Sequence, residues 1–315
     1  MRRDSATALW RLRLGSINLT RFVRAAFTPE ARFDTNALAE TTNLAVRLLD
    51  NVIDASRFPL PQQAANAYGS RRIGLGITGL ADTFVMLGLA YGSDRSLVVA
   101  AEIMSLICHT AYRASIELAE EKGSFPFFER DKYLQGAFVR SLPDDIQTGI
   151  ASHGLRNSHL TAIAPTGTIS LLAGNVSSGL EPIFAASYRR KVLSEDGTPE
   201  EFTLTDYALA LWRRANGTAT GAPTGFVTAS ELPVRVHLDM QAALQPFVDN
   251  SISKTINVLQ DCQLSEFRGI YELAYDKGLK GCTTFRPNPV TGTVLSEEAG
   301  GAEAPHCCVL EREPD

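Results

Sequence analysis

The chain has 315 residues, 44% of them hydrophobic and 21% charged, with a net charge of −5. This is a globular composition, long enough for one large domain or two modest ones. The mild acidity excludes a broad nucleic-acid surface, which needs a basic excess or stripe, so no nucleic acid is expected as a partner.

No apolar run reaches the ~18–20 residues that span a bilayer, and the opening "MRRDSATALW" has no apolar core of a secretory signal. No membrane is therefore expected. The cysteines (Cys108, Cys262, Cys282, Cys307 and Cys308) are few and odd in number, which suits a reducing cytoplasm better than a disulfide framework. None has the spacing of a metal knuckle.

From the N-terminus, Leu38, Leu44, Ala45, Leu48, Leu49, Val52 and Ile53 recur at helical spacing behind Asp34 or Thr35 as N-cap. A Pro/Gln/Asn-rich loop is expected over 59–69. The stretch from Ser93 to Gly123 predicts a long helix, with Ser93 or Asp94 capping its start and Gly123 its end. Helices are also expected over 206–214 and 239–247, and short strands at "KTINVL" and "GCTTF". The Gly-rich "NGTATGAPTG" is an exposed connection, and the tail from Ser296 is read as flexible. Helices alternating with short buried strands predict an α/β fold.

Gly74-Leu75-Gly76-Ile77-Thr78-Gly79 matches G-x-G-x-x-G, but "AYGSRR" before it is a poor strand and helix follows it. The dinucleotide reading is rejected in favour of glycines that permit close helix packing. The five histidines do not cluster at ligand spacing.

Within "HLTAIAPTGTISLLAG" an apolar approach meets Pro165, Thr166, Gly167, Thr168, Ile169 and Ser170. Gly167 is expected to take a backbone angle closed to other residues, and the hydroxyls of Thr166, Thr168 and Ser170 can donate to oxyanions. If a helix starts near Ile169, its first amides face the loop. The residues alone leave a plain turn and an anion site both open. Glu181-Pro182 puts a carboxylate in a second Gly/Ser-rich turn.

Four long stretches then carry a family resemblance: "RRIGLGITGLADTFVMLGL", "NSHLTAIAPTGTISLLAGNVSSGLEPIFA", "MQAALQPFVDNSISKTINV" and "AYDKGLKGCTTFRPNP". In this order they resemble the catalytic chain of ribonucleotide reductase, and "PTGTISLLAGNVSSG" with "CCVLERE" resembles its adenosylcobalamin-dependent class. The resemblance implies the C-terminal part of a ten-stranded α/β barrel, an incomplete barrel here. It implies three regions: a non-family stretch over 1–13, barrel over 14–295, and a tail over 296–315.

The implied reaction is that of a ribonucleoside-diphosphate reductase, replacing the ribose 2′-hydroxyl of a ribonucleotide with hydrogen by thiyl-radical chemistry initiated by adenosylcobalamin. The loop Pro165, Thr166, Gly167, Thr168, Ile169 and Ser170 is implied to bind the substrate phosphates. Implied partners are the ribonucleotide, the missing N-terminal half of the reductase, a thioredoxin-like reductant and a second copy in a homodimer. Cys307 and Cys308 resemble a redox tail, although vicinal cysteines form strained disulfides.

The family's radical Cys, with its Asn and Glu in N-P-C-G-E, has no match here, and Leu12 stands where a reducing Cys is expected. Codons can be chosen for residues 1–13 that, read one base later, encode C-G-E-I-P-L-P-P-Y-G-A-C, the family's finger loop. A one-base shift near Arg13 is therefore expected to separate this frame from the upstream half. Such a chain alone is expected to be inactive and poorly soluble. The alternative is a non-catalytic nucleotide-binding fragment or one half of a split reductase.

Overall fold

The computed structural model describes residues 13–193, 199–217, 221–258, 262–286 and 295–297. The chain opens with β1 (Arg13–Asn18), the short hairpin strands β2 (Val23–Arg24) and β3 (Arg32–Phe33), and helix α1 (Thr35–Ala55). Next come α2 (Pro61–Ser70), β4 (Ile73–Thr78), α3 (Leu80–Met86) and α4 (Asp94–Lys122). Three short helices follow, α5 (Arg130–Leu134), α6 (Ala137–Arg140) and α7 (Asp144–His153), and then α8 (Gly167–Leu172). Strands β5 (Ser187–Leu193) and β6 (Pro199–Thr205) precede α9 (Tyr207–Asn216) and α10 (Val234–Leu244). The last elements are β7 (Thr255–Asn257), α11 (Leu264–Asp276), β8 (Thr283–Phe285) and β9 (Leu295–Glu297).

The strands form half of a barrel wall. β1 runs parallel to β4, with Arg13 opposite Ile73 and Asn18 opposite Thr78. Beyond β4 lies the extended segment 159–163, bridged in parallel from Leu75 to Thr161, where Ala162 N donates to Leu75 O at 3.0 Å. Ile163 then bridges in parallel to Ile252, on the chain leading into β7, and β7 pairs in parallel with β8. Five parallel segments thus lie side by side. Among the described residues the row does not close on itself, so the expected incomplete α/β barrel is what the chain forms.

Helix crossovers cover one face, as parallel strands require. α1 packs on β1, β4 and α4, and α10 packs on β7. Local chemistry fits these roles. Asp34 caps α1 by accepting from Ala37 N at 3.1 Å, and Ser93 caps α4 by accepting from Ser96 N at 3.3 Å. Both caps and the helix at 207–216 agree with the sequence expectation, whereas α10 begins at Val234, ahead of the expected 239.

A buried polar seam ties the helices to the wall. Asp50 of α1, with no exposed side chain, accepts from Arg71 Nε at 2.8 Å, Arg156 Nε at 3.3 Å and Asn157 Nδ2 at 2.9 Å. Asp249 accepts from Leu160 N at 2.7 Å, Thr161 N at 3.0 Å and the Tyr112 hydroxyl at 2.9 Å.

Four expectations are corrected. Residues 61–70 form a helix where a loop was expected, because Pro61 sits at its first position and Gln/Ala follow as good helix formers. The glycine motif is strand, not helix-packing surface. All six residues of β4 are buried, and a Cβ on Gly76 would meet Ala162 O at 2.1 Å, so this glycine admits the neighbouring strand segment.

Helix α4, Asp94–Lys122, is long and apolar enough by length and composition to cross a membrane, against the expectation of no such run. It serves as a core helix here, burying Ile103, Met104, Ile107, Cys108, Ala111 and Tyr112. Finally, residues 295–297 pair antiparallel with Arg190–Tyr188 of β5, inside the region read as barrel end and tail.

Candidate functional site

The Pro165–Ser170 loop follows directly from the middle segment of the wall, at the C-terminal ends of the parallel strands, where ligands of parallel α/β sheets bind. Thr78 ends β4 beside it. Within the loop, the Thr166 and Ser170 hydroxyls bond inward, and Thr166 rather than Gly167 takes the unusual backbone angle.

Thr166 takes the left-handed conformation (φ 53°, ψ 14°) as N-cap of α8, and it is buried. Holding a threonine there costs on the order of 1–3 kcal/mol, so the surroundings must fix it. They do. The Thr166 hydroxyl accepts from Gly179 N at 2.7 Å and lies 3.1 Å from the Thr78 hydroxyl, which itself donates to Ser177 O at 3.0 Å. Gly167, expected to supply the unusual angle, is instead the first residue of α8, and a Cβ there would meet nothing within 4 Å. Its role is clearance over the loop surface.

Ser170 is also committed inward. Its hydroxyl donates to Gly167 O at 3.0 Å and lies 3.2 Å from Ser178 Oγ, and its amide donates to Thr166 O at 2.8 Å. That leaves an outer surface of Pro165, Thr168 and Ile169, all exposed, and the amides of Gly167, Thr168 and Ile169. Among the described residues these amides have no internal acceptor, as the first turn of a helix requires.

Glu181 is not part of that surface. Its carboxylate pairs with the buried ammonium of Lys254 and accepts from Thr255 N at 3.0 Å. It fastens the second turn to β7. Nearby, His237 of α10 is buried with Nδ1 unpartnered, and burial, aided by Lys254, pushes it down to about 3.

Sequence reasoning missed the residues behind the loop. Asp82 of α3 accepts from Ser177 N at 2.6 Å and Ala208 N at 3.0 Å. Burial raises its carboxyl above the usual range, and Asp206 beside it is raised further by burial and by Asp82. A polar residue inside the apolar run "GLADTFVM" was the signal available.

The cysteines do not converge. Cys108 is buried, which pushes its thiol up, with the Asp249 charge adding to the effect. Cys262 and Cys282 are half-buried. Cys307 and Cys308 lie outside the described residues. Among the described residues no group of three His, Cys, Asp or Glu side chains could hold a metal ion.

Comparison with known proteins places the chain in a family. The chain matches the ribonucleotide reductase barrel domain over residues 12–285, and it belongs to that family of oxidoreductases. It is 35% identical over 302 residues to a vitamin B12-dependent ribonucleoside-diphosphate reductase of Mycobacterium tuberculosis, covering 91% of this chain and 40% of that protein. A protein of the same description from Thermoplasma acidophilum is 36% identical over 306 residues, covering 92% and 37%. The ribonucleoside-diphosphate reductase large chain of Encephalitozoon cuniculi is 28% identical over 305 residues, covering 88% and 40%. The chain thus spans about two fifths of the length of these relatives.

Proposed function

We propose that this chain is the substrate-phosphate-holding part of an adenosylcobalamin-dependent ribonucleoside-diphosphate reductase. The observation that carries the reading is the outward row of amides at Gly167, Thr168 and Ile169, set on a threonine whose own hydroxyl is used up inside. A loop that commits Thr166 and Ser170 to internal bonds but leaves three amides and the Thr168 hydroxyl open is suited to phosphate oxygens. Such donors give neutral recognition, so no lysine or arginine is required within the loop.

In this reading the chain's residues bind and orient. The amides take the terminal phosphate oxygens, and Gly167 leaves room for them. The five-segment wall fixes the loop at the strand ends, so that the ribose points toward the space a closed barrel would enclose. The thiyl-radical chemistry belongs to the complementary N-terminal half, with a thioredoxin-like reductant restoring its thiols and a homodimer as the working assembly.

Relatives are named as vitamin B12-dependent, and in this reading adenosylcobalamin would supply the radical initiation. Neither of two hollows among the described residues encloses a corrin by itself. One hollow of about 590 Å³ lies open over Phe128–Lys132 on the surface. The other, of about 210 Å³ between Ser251–Lys254 and Lys280–Thr283, is smaller than the ~300–1,000 Å³ of ordinary ligand sites. No step of the reading therefore runs through the cofactor on this chain.

A second reading, a nucleotide-binding fragment or one half of a split reductase without activity of its own, is favoured by the lack of an N-P-C-G-E match in the sequence. Titration of the chain with inorganic pyrophosphate and with a ribonucleoside diphosphate, followed by 31P NMR, tests the phosphate loop. Binding that disappears on crowding the loop at Gly167 with valine supports it, and absence of binding sinks it. Adding the complementary half and measuring deoxyribonucleotide formation separates the two readings.

A further inference from the structure

The turn behind the phosphate loop is held by two buried acids that, among the described residues, no cation neutralises. Asp82 on α3 is fully buried, and Asp206, 4% exposed, is the N-cap of α9. Their carboxyl groups are hydrogen-bonded to each other. They also accept from adjacent amides, Asp82 Oδ1 from Ala208 N at 3.0 Å and Asp206 Oδ1 from Leu209 N at 3.0 Å. A hydrogen bond between two carboxyl groups needs a proton, since two carboxylates in contact repel.

From this pair a chain of bonds leads to the loop. Asp82 Oδ2 accepts from Ser177 N at 2.6 Å, and Ser177 Oγ accepts from Ala81 N at 3.1 Å. Ser177 O accepts from Gly79 N at 2.7 Å and from the Thr78 hydroxyl at 3.0 Å. Two residues further on, Gly179 N donates to the Thr166 hydroxyl, the bond that supports the left-handed loop residue.

We propose that the Asp82–Asp206 pair is the positioning element of the phosphate loop, holding the Ser177–Gly179 turn against Thr166 only while the two carboxyls share one proton. This rests on the phosphate reading above. Burial raises both groups, so the shared proton is kept above the ordinary carboxyl range and lost as pH rises through that raised value. The hold is therefore present on the acid side and lost as pH rises.

The surroundings offer no competing charge. Among the described residues no Lys, Arg or His lies within ion-pair distance of either carboxyl. From β5, Tyr188 feels the Asp206 charge and donates to Asn175 Oδ1 at 2.6 Å, and Arg190 of that strand acts on Tyr188. The 3-10 turn Leu19–Phe22, which packs on α3, carries Arg21, which is exposed. α9 adds Tyr207 next to Asp206, with Arg213 and Arg214 in its last turn. A phosphate ligand gains charge as pH rises, so its own titration would strengthen binding, the opposite direction.

The test uses the 315-residue chain as wild type, Asp206→Asn and Asp82→Asn. Amide hydrogen exchange of residues 166–179, corrected for its intrinsic rate, is followed from about pH 6 to about pH 9.5, with pyrophosphate affinity measured alongside. In the wild type, protection is expected to fall at least about tenfold as pH rises, and affinity with it, roughly tenfold for each unit above the transition. Asp206→Asn, a neutral cap that can still donate to Asp82, is expected to hold protection flat. Asp82→Asn is expected to loosen the turn at every pH; should it not fold, Asp206→Asn decides alone. A flat wild type, or an Asp206→Asn profile that follows the wild type, overturns the proposal. If protection behaves as expected but pyrophosphate never binds, the phosphate reading falls and the pair's hold on the loop stands.

Discussion

The hydroxyls of Thr78 and Thr166, 88 residues apart in sequence, meet at 3.1 Å. The first ends a buried strand and the second begins the candidate phosphate loop in a left-handed conformation. Their contact is where the wall of the half-barrel takes hold of the loop.

Replacing Thr166 by valine keeps the shape and removes that hold. Gly179 N, buried, is left without its acceptor, at a cost of about 1–3 kcal/mol. Urea unfolding is expected to show a loss of that size with an unchanged m-value, together with weaker pyrophosphate binding. Thr166→Ser, which keeps the oxygen, should recover most of both. Equal behaviour of valine and serine would remove the hydroxyl from the account.

Thr168→Ala separates binding from stability. The Thr168 side chain is exposed and has no internal hydrogen bond among the described residues. Its loss is expected to leave the unfolding midpoint in place and to weaken pyrophosphate several-fold, about 1 kcal/mol for one neutral hydrogen bond. Isothermal titration at fixed salt checks this, and an unchanged affinity would place the phosphate elsewhere.

Asp50→Ala removes the buried carboxylate shared by Arg71 and Arg156, whose side chains are 5% and 12% exposed, leaving Arg71 with Asp54 alone as its carboxylate partner. Removing one member of a buried ionic network costs about 3–5 kcal/mol. Denaturant titration should show a shift of that order, whereas Arg113→Gln, from an exposed pair with Asp145, should leave the midpoint in place.

His237 makes the fold acid-sensitive. Its folded value is pushed down to about 3 by burial, below the ordinary value near 6.5, so the unfolded chain binds the extra proton between those limits. Stability is then highest above about pH 6.5 and falls as pH drops toward 3, by at most about 1.4 kcal/mol per unit from this residue. The urea midpoint is expected to fall between pH 7 and pH 5, and His237→Phe should flatten part of that slope. A slope unchanged in the variant would assign it to other groups.

The edge of the wall predicts behaviour in solution. Among the described residues β1 pairs only with β4, and Leu14 on it is 51% exposed. Leu44, Leu48 and Val52 form an exposed stripe on the neighbouring α1. An open edge beside apolar surface promotes association. Gel filtration of the chain alone should show soluble aggregate, and a charged substitution at Leu48 should reduce it. A clean monomer at micromolar concentration would contradict this.

Much of the fold was legible because its signals are local. Asp34, Ser93 and Asp206 each cap the helix that their sequence position announces, since a cap bonds to an amide three residues away. The residues 61–70 were misread because proline, glutamine and asparagine serve loops and first helical turns alike. The Pro165–Ser170 loop was visible as a bare hydroxyl-rich stretch, but the division of labour within it was not. Which hydroxyls face in depends on Thr78, Ser178 and Gly179, which sequence spacing does not bring together.

By itself the sequence determined the caps of α1 and α4, the short strands β7 and β8, the family resemblance and the place of the loop, because these rest on runs of neighbouring residues. Only the tertiary structure decided that Gly76 lies under Ala162 O, that Thr166 rather than Gly167 takes the left-handed angle, and that Asp82 and Asp206 share a buried site. Each of those depends on the distance between segments far apart in the chain, and that distance is set by parallel strands brought side by side through helical crossovers.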